Sequence, residues 1–286
     1  MEIRPTGGCF AAEVLDVDLA TVGDDAFARI EQAFYDHSVL VFHDQRLNEA
    51  QHTAFSRRFG DLEMTMVNDP SGGGGPVNHI SNVDEHDRLI PMDDPRMLYN
   101  SGNALWHTDS SYKPVPAKAS LLFADDVPPS GGETEFACMR AAYETLSNDE
   151  RDEIEDLVVE HDIAYSRATI APNMLSAEFR KEVPGQIQAM VRILPETGRK
   201  TFYAGAHAAR IVGWSDERSR ALIDKLNALA TTPEFVYQHI WKVNDLVIWD
   251  NRFCLHRGRP WDGSKFRRVM RRTTIAGDGP TVDRPR

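Results

Sequence analysis

Six strand-like segments constrain the fold more than any other feature of the sequence. They span residues 117–124, 133–138, 199–204, 234–241, 245–250 and 266–275, and turn-forming residues separate them. Helices do not alternate regularly with these segments, which disfavours a doubly wound parallel sheet. The pattern favours a mainly β fold with added helices, a double-sheet β-roll in which side chains from distant strands converge inside.

Four helices are predicted, and three of them begin with a capping residue. Asn48 and Ser147 are each followed three residues later by Gln or Glu, which is the spacing of a capping box. Ser215 is followed by two acidic residues, which favour a helix N-terminus. The remaining helix follows Asp24, where apolar residues recur at helical spacing. We expect all four to pack outside the sheet.

The composition predicts one globular domain over residues 1–286, with 41% hydrophobic and 27% charged residues. A net charge of −12 argues against a nucleic-acid partner and against an anionic membrane surface. The three cysteines are widely spaced and fit neither a disulfide framework nor a Cys-X-X-Cys zinc site, which suggests a reducing cytoplasm. The N-terminus lacks an apolar signal segment, so we expect a soluble cytoplasmic protein.

A glycine-rich segment, Ser71-Gly72-Gly73-Gly74-Gly75-Pro76, is the one compositional anomaly. It lacks the Gly-Lys-Ser/Thr ending with which a P-loop binds phosphate. A flexible connector or lid is therefore favoured over a nucleotide site. We expect the segment to belong to a mobile active-site loop around residues 64–100.

The tetrapeptide Trp106-His107-Thr108-Asp109, together with His256 far downstream, predicts a metal site. If residues 104–110 are extended, the side chains of His107 and Asp109 point to the same side, because strand side chains alternate. His256 from a distant strand then completes two imidazoles and one carboxylate, a set that leaves open positions on Fe(II) for a co-substrate and O2. The same donors also hold catalytic zinc, so a zinc hydrolase stays open, as does a non-catalytic binding module with a structural site.

An arginine-rich segment follows His256. Within residues 266–273, strand alternation places Arg268 and Arg272 on one face and Arg267 and Arg271 on the other. A buried guanidinium group needs a partner, and its planar fork fits a carboxylate through two hydrogen bonds. The segment therefore predicts either an interior anion site or, if it is exposed, ordinary surface ion pairs.

Several motifs in order along the chain resemble the taurine dioxygenase and 2,4-dichlorophenoxyacetate dioxygenase family. They are the metal-site tetrapeptide, residues 128–136, residues 245–252 with His256, the arginine segment, and residues 39–42 and 55–60. The resemblance implies an Fe(II)- and 2-oxoglutarate-dependent dioxygenase with a double-stranded β-helix (jelly-roll) core. We also expect a homo-oligomer, because homologous folds often assemble.

The resemblance implies roles for individual residues. The residues implied to hold the iron are His107, Asp109 and His256. Thr134 and Arg268 would bind the distal carboxylate of 2-oxoglutarate. In this chain, one more residue separates His256 from the arginine pair than is expected for the family. The Arg-hydrophobic-Met-X-Arg pattern therefore sets the register and selects Arg268 over Arg267. Trp249 and Asn251 would shape the surroundings of the ligands and the co-substrate, although a plain core role for Trp249 stays open.

Residues 80–83, 103–107, 139–143 and 205–208 are similar to the aryloxyacetate-cleaving branch of this family. This similarity implies hydroxylation beside the ether oxygen of a small anionic substrate such as 2,4-dichlorophenoxyacetate. The unstable product would collapse to a phenol and an oxo acid, glyoxylate from an aryloxyacetate, while 2-oxoglutarate becomes succinate and CO2. The alternative within the family is taurine or another alkylsulfonate, since the same arginines can hold a sulfonate.

Three residues are candidates for contact with the organic substrate. Arg272 would approach the acidic group of the substrate or the co-substrate. Asn103 has the strand parity of His107, and Arg88 is a cation within the predicted loop; for both, a surface role stays open. His207 is not included, because a lone histidine is more often structural.

Overall fold

The computed structural model describes residues 1–65, 74–172 and 174–282. The strands in these ranges are β1 Glu2–Pro5, β2 Ala12–Leu15, β3 Val39–Phe42, β4 Val77–Ser81, β5 Ala119–Asp126, β6 Thr134–Cys138, β7 Val158–His161, β8 Gln186–Ala189, β9 Val191–Ile193, β10 Lys200–Phe202, β11 Ala208–Ile211, β12 Val236–His239, β13 Leu246–Asp250, β14 Cys254–Gly258 and β15 Val269–Ile275. The α-helices are α1 Asp24–His37, α2 Glu49–Ser56, α3 Pro95–Asn100, α4 Met139–Glu144, α5 Asn148–Ile154, α6 Ile163–Ala168, α7 Ala177–Glu182 and α8 Asp216–Ala230, and short 3-10 helices span Arg57–Phe59, Ser101–Ala104 and Pro233–Phe235. The prediction of a mainly β fold with added helices is confirmed.

The largest sheet has seven strands in the order β1-β2-β3-β13-β5-β15-β4. Strands β2 and β3 pair in parallel, whereas the central pairs β13–β3, β13–β5 and β15–β5 are antiparallel. A three-stranded sheet has the order β12-β6-β14, and β7 lies between β11 and β8 in another. This order places strands that are distant in the sequence side by side.

The central strands of the large sheet pack against two hydrophobic cores. In β3, Leu40 and Phe42 belong to the core formed with α1 and α2. Val39 and Val41 belong to the other core, which includes Phe136 of the three-stranded sheet. Successive side chains of a strand point to opposite faces, and burial of each one contributes about 1.5–3 kcal/mol. The sheet is thereby held on both faces and forms a rigid support for the site.

The predicted helix starts are confirmed. Asn48 and Gln51 form a capping box, in which Asn48 Oδ1 accepts from the backbone N–H of Gln51 at 2.9 Å. Ser147 and Glu150 form the same motif, and Ser215 caps α8. Helix α1 begins where the apolar spacing placed it. These local contacts satisfy backbone N–H groups that have no partner within the helix.

Several predicted strands begin or end at other residues. The segment 234–241 starts with a 3-10 helix, because Pro233 fixes its φ and lacks an N–H donor. The segment 266–275 becomes a strand only at Val269, and a bulge between Val269 and Met270 shifts its register against β5. Arg267 and Arg268 therefore precede the strand, and simple alternation does not decide their faces. Strand β14, which carries His256, was not among the six predicted segments.

The predicted loop around residues 64–100 is only partly described. Residues 66–73, which include the first part of the glycine-rich segment, lie outside the described residues. The remainder contains β4, which pairs with β15 at the sheet edge, and α3. The mobility of the loop and the single domain over residues 1–286 stay predictions. In the part of the chain that the structure describes, no helix combines the length and apolar character needed to cross a membrane.

Candidate active site

His107 and His256 lie opposite each other in an isolated antiparallel bridge. Each backbone N–H donates to the other residue's carbonyl, at 3.1 and 2.8 Å, and the ring centroids are 4.2 Å apart. Asp109 completes a buried group in which one potential ligand atom from each residue lies within 4.8 Å of the others. The structure thus brings together the three residues that the sequence predicted as metal ligands.

The segment before this group is not the extended strand that was assumed for residues 104–110. Ala104 ends a 3-10 helix, and Ser110 has a φ of 57° in the turn that follows Asp109. Only His107 makes a β-bridge. The two side chains converge because one bridge is followed directly by a turn, not because of regular strand alternation.

The protonation states of the three residues suit a metal ion. His107 Nδ1 donates to the carbonyl of Leu105 at 2.7 Å, so the lone pair of a neutral ring is on Nε2. Burial lowers the pKa of His107 to about 4 and that of His256 well below its usual range. Burial alone would raise the pKa of Asp109, but the neighbouring Arg272 guanidinium and the two histidines bring it below its ordinary value. Near pH 7 the group therefore offers two neutral imidazoles and one carboxylate, the forms that bind metals.

Asp109 is held by hydrogen bonds from several elements. Its Oδ2 accepts from Ser120 Oγ at 2.7 Å and its Oδ1 from Arg272 Nη1 at 2.7 Å. Asn251 Oδ1 accepts from the backbone N–H of Asp109 at 3.1 Å and from Trp249 Nε1 at 3.0 Å, and Asn251 Nδ2 donates to Ser120 Oγ at 2.9 Å. Such contacts orient a ligating carboxylate. Sequence reasoning missed Ser120, although a serine within the apolar run of β5 was a usable signal.

Trp249 lies behind His256, one of the predicted metal ligands. Its ring centroid is 4.7 Å from that of His256 and 5.5 Å from that of Phe136, and only 1% of the residue is exposed. It also lines the cavity beside the metal ligands. The contacts show Trp249 packing against His256 and linking it to Asn251.

Thr134 and Arg268 line the same cavity as His107 and His256. Thr134 Oγ1 accepts from Trp241 Nε1 at 2.9 Å, which leaves the hydroxyl proton of Thr134 available to an anion. Arg268 Nε donates to the carbonyl of Gly132 at 3.2 Å, and burial lowers the pKa of Arg268 to about 10. No carboxylate of the described residues pairs with Arg268. The pair therefore offers a hydroxyl and a guanidinium group to a carboxylate.

The neighbouring arginines point elsewhere. Arg267 is partly exposed and pairs with Asp87 at 2.6 Å and with Asp126 at 2.9 Å. Arg271 is buried and pairs with Asp125 at 2.6 Å. Of the adjacent Arg267 and Arg268, the structure thus places Arg268 in the cavity.

The three predicted substrate-contact residues differ in position. Asn103 lines the cavities around the metal ligands, but it lies in a 3-10 helix, so the strand-parity argument for it was wrong. Arg272 lines them too and donates to Asp109. The Arg88 side chain is 71% exposed and pairs with Asp84 at 2.8 Å. The ion pair holds Arg88 at the surface, and it does not join the cavities around the metal ligands.

A second cavity shares His107, Asn103 and Arg272 with the first. Two residues of its wall, Arg167 and His207, were not among the predicted site residues. The ring centroid of His207 is 5.8 Å from that of His107, so a histidine that was considered structural borders the site. Arg167 lies in a helix of only six residues, which is too short for a clear helical periodicity in the sequence. No sequence motif marks this arginine.

The fold and the site define a dioxygenase, and the chain belongs to the taurine catabolism dioxygenase TauD, TfdA family, whose sequence model matches residues 2–274. The chain is 40% identical over 285 residues to the alpha-ketoglutarate-dependent 2,4-dichlorophenoxyacetate dioxygenase of Cupriavidus pinatubonensis, covering 95% of this chain and 96% of the relative. It is 37% identical to the (S)-phenoxypropionate/alpha-ketoglutarate-dioxygenase of Sphingobium herbicidovorans, covering 97% and 95%.

Solved structures give the same assignment. The crystal structure of AAD-2 in complex with Mn(II) and N-oxalylglycine matches with a TM-score of 0.90 and 42% identity, covering 98% of this chain and all of that one. A taurine dioxygenase from Burkholderia xenovorans matches with a TM-score of 0.78 and 29% identity, covering 98% and 92%. The predicted family and enzyme class are confirmed, and the zinc hydrolase and the non-catalytic module are not supported.

Proposed function

We propose that this protein is an Fe(II)- and 2-oxoglutarate-dependent dioxygenase that hydroxylates a small anionic aryloxyalkanoate such as 2,4-dichlorophenoxyacetate. The products are a phenol and an oxo acid, glyoxylate in the case of an aryloxyacetate, with succinate and CO2. The observation that carries the proposal is the grouping of His107, Asp109 and His256, whose two histidines line a cavity that also contains Arg268. Relatives with 37–40% identity are dioxygenases for phenoxy acids.

The donor set fits Fe(II). Two neutral imidazoles and one carboxylate leave three positions of an octahedral ion for other ligands. The AAD-2 neighbour was solved with a divalent metal, Mn(II), and the acid N-oxalylglycine. When bound, the iron supplies the activation of O2 that is coupled to the oxidative decarboxylation of 2-oxoglutarate. One oxygen atom enters succinate and the other enters the C–H bond beside the ether oxygen.

The residues of the chain have positioning roles in this reaction. Arg268 and Thr134 bind the distal carboxylate of 2-oxoglutarate by charge and by a donated hydroxyl proton. Ser120 and Asn251 fix the carboxylate of Asp109. The surrounding buried side chains limit access of water to the reacting atoms. The hydroxylated product is a hemiacetal. It collapses when the bond between the hydroxylated carbon and the aryloxy oxygen breaks, and the hydroxyl proton passes to the departing aryloxide, which gives the phenol and the oxo acid.

Succinate and phenol release test the proposal together. Metal-free protein is reconstituted anaerobically with Fe(II), 2-oxoglutarate and 2,4-dichlorophenoxyacetate and is then exposed to O2. We expect succinate and 2,4-dichlorophenol in equal amounts, and neither without Fe(II). Absence of succinate with all components present would contradict the proposal.

Taurine or another alkylsulfonate is the second candidate, and the 29% identity to a taurine dioxygenase structure favours it less than the phenoxy-acid relatives favour an aryloxyalkanoate. The two candidates release different products. Sulfite from taurine, without phenol from phenoxyacetate, would select the second.

We also propose that the facing sheets form a double-stranded β-helix (jelly-roll) core within one domain, and that the protein is a cytoplasmic homo-oligomer. Similarity to dioxygenase structures over nearly the whole chain supports the core, and three cysteines without a disulfide framework support the compartment. Light scattering of purified protein tests the assembly; a monomer mass would contradict it.

A further inference from the structure

Five arginines are buried among the described residues, and three of them pair with carboxylates. The pairs are Arg140 with Glu144, Arg252 with Asp250, and Arg271 with Asp125. The other two, Arg167 and Arg268, have no carboxylate partner within the described ranges, and both line cavities at the metal ligands. A buried cation without a counter-charge is unfavourable, so these two positions indicate sites for anions.

Arg167 belongs to α6 and is only 5% exposed. Its Nε and Nη1 atoms are buried and have no hydrogen-bond partner in the described chain. The guanidinium carbon lies 5.2 Å from the ring centroid of Tyr99, which supports the group but does not neutralise it. The side chain therefore has unused donors, and a planar fork of donors fits a carboxylate.

Arg167 faces the reacting region. It lines the same cavity as His107, Asp109 and Arg272. Gly102 leaves the space that the guanidinium group occupies, because a β-carbon at that position would lie 2.0 Å from Arg167 Nη1. The glycine thus permits the arginine to reach the cavity from α6.

We propose that Arg167 binds the carboxylate of the organic substrate and is the residue that selects acids for this reaction. The inference rests on the proposed function, in which two anions must bind next to the metal ligands. Arg268 is matched to the distal carboxylate of 2-oxoglutarate, which leaves Arg167 for the substrate carboxylate. Arg272, the residue that the sequence suggested for this role, already donates to Asp109 at 2.7 Å.

The test compares substrate binding in Arg167→Met and Arg167→Lys with the unmodified protein. Phenoxyacetate is titrated into anaerobic protein that holds Fe(II) and 2-oxoglutarate, and the change in the visible absorption band gives Kd. We expect Kd and KM for phenoxyacetate to rise roughly tenfold to a hundredfold in Arg167→Met. The rise should be smaller in Arg167→Lys, which keeps the charge and loses the fork. Neutral phenoxyacetamide should bind with the same Kd to Arg167→Met and to the unmodified protein.

A substitution at Gly102 addresses the same contact and leaves the Arg167 side chain itself unchanged. Gly102→Ala should displace the guanidinium group and raise KM for phenoxyacetate several-fold, with KM for 2-oxoglutarate unchanged. Arg220→Met is the matched control, because Arg220 also lies over a tyrosine ring, 5.6 Å from the Tyr165 centroid, but does not line these cavities. It should leave both KM values unchanged.

Uncoupled succinate formation, measured without organic substrate, separates this inference from the proposed function. If Arg167→Met keeps that activity and binds phenoxyacetate as the unmodified protein does, the inference is overturned. An equal rise in KM for 2-oxoglutarate would also overturn it, because it would assign Arg167 to the co-substrate. If Arg167→Met does not fold, an unchanged KM in Gly102→Ala has the same consequence. Failure of the unmodified protein to form succinate would contradict the proposed function itself.

Discussion

His107 and His256 exchange both of their backbone hydrogen bonds, so a single antiparallel bridge sets the distance between two predicted metal ligands. The bridge joins the segment after a 3-10 helix to strand β14. Because main-chain hydrogen bonds hold the two residues, we expect either side chain to be replaceable without a shift in the backbone of the other. The site can therefore be dissected one ligand at a time.

His107→Ala should abolish coupled formation of succinate and phenol. The variant removes one imidazole from the metal site but keeps the backbone bridge, so we expect a folded protein without the visible band of the anaerobic Fe(II) and 2-oxoglutarate complex. Circular dichroism checks the fold, and His86→Ala is the control at a histidine whose side chain is 65% exposed. Retained turnover in His107→Ala would assign the three residues a structural role.

Ser120→Ala should weaken Fe(II) binding about 10- to 100-fold, because it removes the hydrogen bond to Asp109 Oδ2 and the acceptor of Asn251 Nδ2. Anaerobic titration with Fe(II) measures the change, and kcat at saturating iron should fall much less. Ser56→Ala is the matched control, since Ser56 is also buried and hydrogen-bonded but contacts His52 and Thr273. Equal affinities in the two variants would contradict the role of Ser120.

Arg268→Met should raise KM for 2-oxoglutarate at least about tenfold, the effect of losing a charge-assisted hydrogen bond. Arg267→Met should change it less than about twofold, because Arg267 lies outside the cavity, is partly exposed, and pairs with Asp87 and Asp126. Steady-state kinetics with 2-oxoglutarate as the varied substrate compares the two neighbours. The reverse result would assign the co-substrate to Arg267.

Acid should destabilise the protein partly through His52. Burial, assisted by Arg271, lowers the pKa of His52 to about 3, whereas an unfolded histidine has a pKa of about 6.5. Below pH 6.5 the unfolded state binds a proton that the native state does not, so the free energy of unfolding decreases as the pH is lowered. From this group alone, the decrease between pH 7 and pH 5 is about 2 kcal/mol. Urea unfolding of His52→Asn at both values should show a correspondingly smaller loss. His86→Asn should show the same loss as the unmodified protein.

The grouping of the three candidate metal ligands could be predicted because two of them lie two residues apart in the sequence and a family resemblance selected the third. Ser120, Trp241 and Arg167 could not be found in this way. Each acts through a contact with a distant element, and such contacts depend on packing rather than on local spacing. For Asn103, the predicted position beside the site was right and the reason given for it was wrong. The residue lines the cavity, but it lies in a 3-10 helix and not in the assumed strand.

The first residue of a helix could be predicted where a capping box binds the free backbone N–H groups of the first turn, as at Asn48 and Ser147. Strand bounds were less so. The bulge between Val269 and Met270 arises in the pairing of β15 with β5, and no residue type in the segment predicts it. Strand alternation therefore did not decide the faces of Arg267 and Arg268; the family pattern selected Arg268, and the structure places that residue in the cavity.

If Arg167 and Arg268 bind acids as proposed, these buried arginines, which have no carboxylate partner among the described residues, set substrate recognition against thermal stability. Replacing Arg167 and Arg268 with apolar residues of similar volume removes two desolvated charges, a kind of change that often stabilises a protein. We therefore expect a selection for heat resistance without a requirement for activity to accept apolar replacements at both positions. Under the proposed roles, the protein keeps two desolvated charges so that both acids can be recognised.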